Sequence, residues 1–208
     1  MKKSLLGLML ASLGISTLSS LWSCGFAGIS DVITLSSRSS LAELKSSGRI
    51  PNPMHWAEIQ NDLQAASILS PSNPLYYEDQ AYLYSVRGVA ARRFPEIADL
   101  NLQQAERFYY LSIKARPMTS ATWANLALVS YYLDPGNSVS INKLYNVALS
   151  YGPSSQSTFI TLFYLDLLRW NTLSDSRRGM LKDMKDSSQK SVKEKLQLIA
   201  SQLSIDDF

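Results

Sequence analysis

Residues 105–132 read AERFYYLSIKARPMTSATWANLALVSYY, and the recurrence of their apolar and small side chains decides the fold. Ala105, Tyr109 and Ser112 are spaced by four and three, the spacing of one helix face, and Pro117 ends that helix. Trp123, Leu126, Ala127, Ser130 and Tyr131 then recur at three, four, seven and eight, which describes a second amphipathic helix. The two stripes can pack on each other as a helix pair.

The same pattern lies on both sides. Downstream, Ile141, Tyr145, Ala148 and Pro153 keep the internal offsets of Ala105, Tyr109, Ser112 and Pro117 at a period of thirty-six. Phe159, Leu162 and Phe163 stand where Trp123, Leu126 and Ala127 stood. Upstream, Ile59, Leu63, Ala66 and Pro71 precede Tyr77, Ala81 and Tyr84, but Pro71 and Pro117 are forty-six apart. Against a unit of about 34 residues this calls for an insertion of about a dozen, placed at Ala91 to Asn101. A small residue, a large ring, a small residue and a proline five positions on form the second-helix pattern of a tetratricopeptide unit, and Trp-x2-Leu-Ala opens the next. The expected fold is therefore all-α, a tetratricopeptide-like stack of antiparallel helix pairs (an α-solenoid) behind an N-terminal transmembrane anchor. A plain antiparallel bundle with prolines in its loops is the simpler alternative, against which stand three prolines at fixed offsets. The punctuation predicts helices over 55–69, 75–90, 101–115, 120–133, 139–151, 156–171, 174–186 and 190–204, with Asn73-Pro74 as a start and Asp134-Pro135-Gly136-Asn137 as a turn.

The chain has 208 residues and a formal net charge of +3, and no basic stripe that would hold nucleic acid. Two lysines precede Ser4 to Trp22, nineteen residues without charge, and the uncharged stretch continues to Ser30. That length spans a bilayer, and the flanking charge puts the N-terminus in the cytoplasm. Three readings stay open: an uncleaved signal anchor, a lipoprotein signal at Leu21-Trp22-Ser23-Cys24, and a cleaved signal peptide. All three leave the globular part outside the cytoplasm. The expected organisation is a signal anchor over 1–30, a juxtamembrane linker with one short helix over 31–54, repeats over 55–172 and C-terminal capping helices over 173–208. In the cap, Leu181, Met184, Val192, Leu196, Ile199 and Leu203 keep a narrow apolar stripe among lysines and acids.

Catalytic constellations are hard to build from this composition. His55 is the only histidine and Cys24 the only cysteine, so zinc clusters and Ser-His or Cys-His pairs lack members. Neither a phosphate loop nor a selected pair of carboxylates stands out, and no cofactor, metal or enzymatic activity is expected. His55 reads as a helix-start residue. Asp166 lies on an otherwise apolar face and is expected to bond Trp170 or a nearby arginine. Arg87, Arg92 and Arg93 beside Tyr82 and Tyr84 either form a site for an anionic or sugar-bearing partner or pack over rings at a helix end.

Gly28 to Asp31, Pro71 to Asn73 with Tyr77, Arg87-Gly88, Ala105 with Pro117, Trp123-Ala124-Asn125-Leu126-Ala127 and Arg169-Trp170 together resemble the VpsP-like polysaccharide biosynthesis family, over nearly the whole chain. The resemblance implies a non-catalytic, single-pass inner-membrane accessory protein with its globular domain in the periplasm, beside a polysaccharide polymerase or ligase in exopolysaccharide assembly. The alternative is a tetratricopeptide lipoprotein of pilus or secretion-machine assembly. In either setting a protein partner is expected in the repeat groove. Counting five residues beyond Tyr77, Trp123 and Phe159 gives Tyr82, Leu128 and Tyr164 as partner-binding residues, with Asn125 and Tyr131 at the edges. Trp123 is expected at the centre of the core.

Overall fold

Asparagine followed by proline begins two of the helices, because the amide oxygen satisfies a free N–H of the first turn and proline supplies the helical φ without needing a donor. Asn52 accepts from the His55 N–H and Asn73 from the Leu75 N–H, each with proline at the first helical position. A computed structural model describes residues 16, 17, 20, 22, 24–47, 51–205 and 208. Its helices are α1 (Leu35–Ser47), α2 (Pro53–Leu69), α3 (Pro74–Ala90), α4 (Pro95–Ala115), α5 (Ser120–Leu133), α6 (Ser138–Tyr151), α7 (Gln156–Leu168), α8 (Asp175–Asp186) and α9 (Lys190–Gln202), with a short 3-10 turn at Trp170–Thr172. The described residues contain no strand, so the class is all-α.

Helix α4 departs from the expected boundary. The residues assigned to an insertion, 91–101, make a short turn and then the first turns of α4, which runs for 21 residues. Pro95 starts it without a side-chain cap from Phe94, and Ala98, Leu102 and Ala105 extend the buried stripe. The extra length is thus helix rather than loop.

Cross-helix contacts give the directions. Glu78 near the start of α3 meets Ser112 near the end of α4, and Tyr84 stacks on Phe108 at 5.6 Å, so α3 and α4 are antiparallel. Gly88 allows that crossing to be close: a Cβ there would lie 2.7 Å from Leu102 Cγ. Gly152, after α6, likewise lies against Ser120 at the start of α5, where a Cβ would be 2.6 Å from the serine Cβ. Starts meet starts between α3 and α5 (Glu78 with Thr122) and between α5 and α7 (Ser120 with Thr158), so these three helices run parallel. Their buried positions coincide in register: Tyr76, Gln80, Ala81 and Leu83, then Thr122, Leu126, Ala127 and Val129, then Thr158, Leu162, Phe163 and Leu165.

Four apolar clusters pack the described residues, the smallest made of Ala124, Ala148 and Leu162 where α5, α6 and α7 meet. The central one joins Leu102, Ala105 and Tyr109 of α4 to Leu126, Ala127, Ile141 and Leu165. Trp123 is only half-buried at its edge, where its indole N–H donates to the Pro117 carbonyl at 2.6 Å. This corrects the central place expected for it, which belongs to Tyr109 and Leu126. The C-terminal cluster ties α8 and α9 to Phe163, Leu167 and Trp170, and Phe208 closes it against Phe163 and Trp170 at 5.4 and 5.7 Å.

The N-terminal cluster shows where the one short helix expected over 31–54 sits. Within the expected linker, α1 is a docked helix: Leu41 and Leu44 are buried against Trp56, Ile59 and Leu63 of α2 and Tyr76 of α3. Residues 24–33 are helical as well, and backbone bonds from Thr34 to Ser30 and from Arg38 to Thr34 carry the ladder through the turn at Thr34. Ser30, Thr34 and Ser37 are buried with the leucines, small groups that let the helix approach closely. Polar ties complete the join, from Ser37 to Asp62 at 2.6 Å, Tyr76 to Asp31 at 2.9 Å and Lys45 to Asp79 at 2.9 Å. The core of the expected anchor, 4–22, lies almost wholly outside the described residues. Among those residues no helix is long and apolar enough to cross a membrane.

Candidate functional site: an apolar cleft between parallel helices

Where α3 and α5 run side by side, their half-buried faces leave a cleft of about 320 Å³. Tyr82, Ser85, Val86 and Val89 form one wall, and Asn125, Leu128, Val129 and Tyr132 the other, with Tyr109 of α4 as the floor. Both walls are stripes at three and four residues, so each helix presents one continuous face. A cavity of this size lined by rings and aliphatic groups, with few polar atoms, has the character of a binding cleft. Burial pushes the Tyr82 and Tyr109 phenols above the ordinary tyrosine value of 10.0, and Tyr132 rises through burial and its bond to Tyr164. The walls therefore remain uncharged across the neutral range.

The structure gathers Tyr82, Asn125 and Leu128 of the expected set into this cleft. Tyr164 stands behind the far wall, sharing a 2.9 Å hydrogen bond between its hydroxyl and that of Tyr132. Tyr131 turns away and donates to the Leu168 carbonyl at 3.1 Å, tying α5 to α7. Tyr132, Val86 and Val89 complete the walls and were missed. Their signal was present, since Val86 and Tyr132 each lie four residues after Tyr82 and Leu128.

Cations surround this region. Lys45 sits over the Tyr82 ring at 5.1 Å, Arg92 over the Tyr132 ring at 4.3 Å, and Arg87 over Trp56 at 5.4 Å. Ring packing thus holds for Arg87 and Arg92, on rings other than Tyr82 and Tyr84, while Tyr84 is stacked on Phe108. The far end of the pair is fastened by Glu78, whose Oε1 accepts from Thr122 at 2.6 Å, Ser112 at 3.1 Å and Arg116 at 3.2 Å. One carboxylate so holds α3, α4 and α5 in the spacing that leaves the cleft open.

Residues considered for other chemistry are accounted for locally. His55 begins α2 and its ring meets Glu58 at 3.2 Å and Ser40 at 2.9 Å. Asp166 takes the arginine expected as one of its two partners, Arg177, at 2.7 Å. Cys24 is exposed on its helix. Among the described residues no group of three or more His, Cys, Asp or Glu side chains is placed to share a metal ion. Compared with known proteins, the chain matches no family model, no curated protein and no solved structure.

Proposed function

We propose that the protein is a non-catalytic scaffold whose helix pairs stack in the tetratricopeptide manner and hold a partner protein in the cleft between α3 and α5. The observation that carries this reading is the cleft itself, two apolar helix faces left open to solvent with Tyr82, Leu128 and Tyr132 on facing walls. The stack is supported by the parallel course of α3, α5 and α7 and by the common register of their buried positions. An amphipathic helix or extended segment would place one or two apolar side chains between the rings, with the aromatic groups as energetic anchors.

The setting we propose is the inner membrane, with the uncharged segment 4–22 as a single-pass anchor and the domain in the periplasm beside a polysaccharide polymerase or ligase. That setting rests on the resemblance to the VpsP-like family and on the two lysines before an uncharged segment. A photo-crosslinking residue at Ser85, on the cleft wall, tests both parts in the native membrane. Crosslinks to a polymerase or ligase, lost in Leu128→Asp, are expected together with loss of surface polysaccharide in that variant. Crosslinks to pilus or secretion components, with a mass shift in Cys24→Ser, would replace this reading by the lipoprotein alternative.

A further inference from the structure

A second cavity, sharing no residue with the apolar cleft, opens where α6, the end of α7 and the start of α8 meet. It measures about 430 Å³, a size that takes a small molecule. Its lining is polar, with Asn142 and Asn146 from α6, Asp166 and Arg169 at the end of α7, and Ser174 and Arg177 around the start of α8.

Its floor is a built network. Asp166 is 3 % exposed and its Oδ2 accepts from Tyr145 at 2.9 Å and from Arg177 Nη2 at 2.7 Å. Arg177 Nη2 also meets the Tyr145 hydroxyl oxygen. As an adhesive between helices such a pair is poor, because well-packed apolar groups hold two helices as firmly without the cost of desolvating charge. What the pair does provide is a guanidinium locked in one orientation. Arg169 is held by a neutral bond at the surface, donating from Nη1 to Asn142 Oδ1 at 2.9 Å. That bond also orients the Asn142 amide, leaving its NH₂ as a donor on the other side. Asn142 and Asn146 are one turn apart on α6 and share a face.

Two guanidiniums against one carboxylate leave the lining with a surplus of one positive charge. The neutral donors and acceptors outnumber the charges. A phosphate, with about two negative charges at neutral pH, would face the Asp166 carboxylate with too little to offset it. A neutral sugar would leave the surplus unmet. We propose that this cavity binds an anionic sugar of the uronic acid class, one carboxylate on a ring carrying several hydroxyls. Arg169 has five N–H donors and spends one on Asn142, so it takes the carboxylate through a two-point contact. The Asn142 amide supplies its NH₂ as a donor, and Asn146 both a donor and an acceptor, for neighbouring hydroxyls. In the proposed setting, the chain would touch the polymer directly as well as the protein that handles it.

The test is calorimetric titration of the full chain in detergent with glucuronate, with glucose and acetate as controls. Saturable glucuronate binding is expected, with glucose and acetate each at least about tenfold weaker, a difference of about 1.4 kcal/mol. Arg169→Gln should weaken glucuronate by about tenfold or more with the melting temperature unchanged, and Arg169→Lys should recover only part of it, since a lysine cannot make the two-point contact. Tyr82→Ala with Leu128→Ala should leave glucuronate binding intact, which separates this site from the cleft. Failure of glucuronate to bind, acetate binding as tightly, or Arg169→Gln at full affinity would each overturn the proposal.

Discussion

The two cavities are held open in different ways. In both, a carboxylate ties neighbouring helices together, Glu78 for α3, α4 and α5, and Asp166 for α7, α6 and α8. Glu78 lies at the surface rim of the far end of the helix pair, away from the apolar cleft, with its side chain 23 % exposed and its bonds shared among two hydroxyls and Arg116. Asp166 lies under the polar cavity, with its side chain 5 % exposed and a full counter-charge on Arg177. A rim carboxylate fixes spacing and leaves the cleft chemically plain. A buried one makes the cavity polar by requiring a cation beside it.

The sharpest way to break the apolar side of this contrast is Tyr109→Ala, which removes the cleft floor and a fully buried ring. It should cost about 3 to 5 kcal/mol in denaturant unfolding, whereas Trp123→Ala, at the half-buried edge, should cost about half of that. Equal costs would return Trp123 to the centre of the core. On the polar side, Asp166→Ala leaves Arg177 without its counter-charge and should cost about 3 kcal/mol. The double variant Asp166→Leu with Arg177→Met should recover most of this loss while emptying the cavity of its orienting charge.

Smaller still is Gly88→Ala, where the new Cβ meets Leu102. It should cost about 1 to 3 kcal/mol by forcing α3 and α4 apart, and it should weaken partner crosslinking at Ser85 more than its stability effect alone explains. The smallest effect at neutral pH is electrostatic. Burial raises the Tyr109 and Tyr145 phenols, with Asp166 adding to the rise at Tyr145, and burial with Tyr164 raises Tyr132. The unfolded chain ionises its tyrosines near 10, so the stability these groups contribute is fully present below that pH and falls as pH rises above it. Ultraviolet titration should show these three phenols ionising only together with loss of helicity.

Most helix boundaries were legible because their signals are local. Asn73 before Pro74, and Pro135-Gly136 after Asp134, need no tertiary context to be read. Phe94 caps nothing, so the start of α4 at Pro95 was hidden, and the same residues read as an insertion. The docking of the N-terminal segment was partly hidden because Ser30 and Thr34, ahead of α1, and Ser37 within it carry no hydrophobic signal although they are buried. Their small size matters only once α2 is alongside. In the cleft, Tyr82 and Leu128 follow from the repeat offset, but Tyr131 and Tyr132 are adjacent rings about 100° apart on a helix, and only packing decides which one faces the cleft. The type of partner for Asp166 could be expected from the burden of a lone buried charge. That it is Arg177, on the next helix but in no fixed sequence relation, required the fold.

The join between the N-terminal helix and the body has a mechanical meaning. Asp31 accepts from Tyr76 and Lys45 donates to Asp79, and both Tyr76 and Asp79 belong to α3, the helix that forms one wall of the cleft. The N-terminal helix is therefore fastened at two well-separated points to the same wall of the cleft. A load carried by that helix would bear on α3 as well as on α2, to which Ser37 ties it through Asp62.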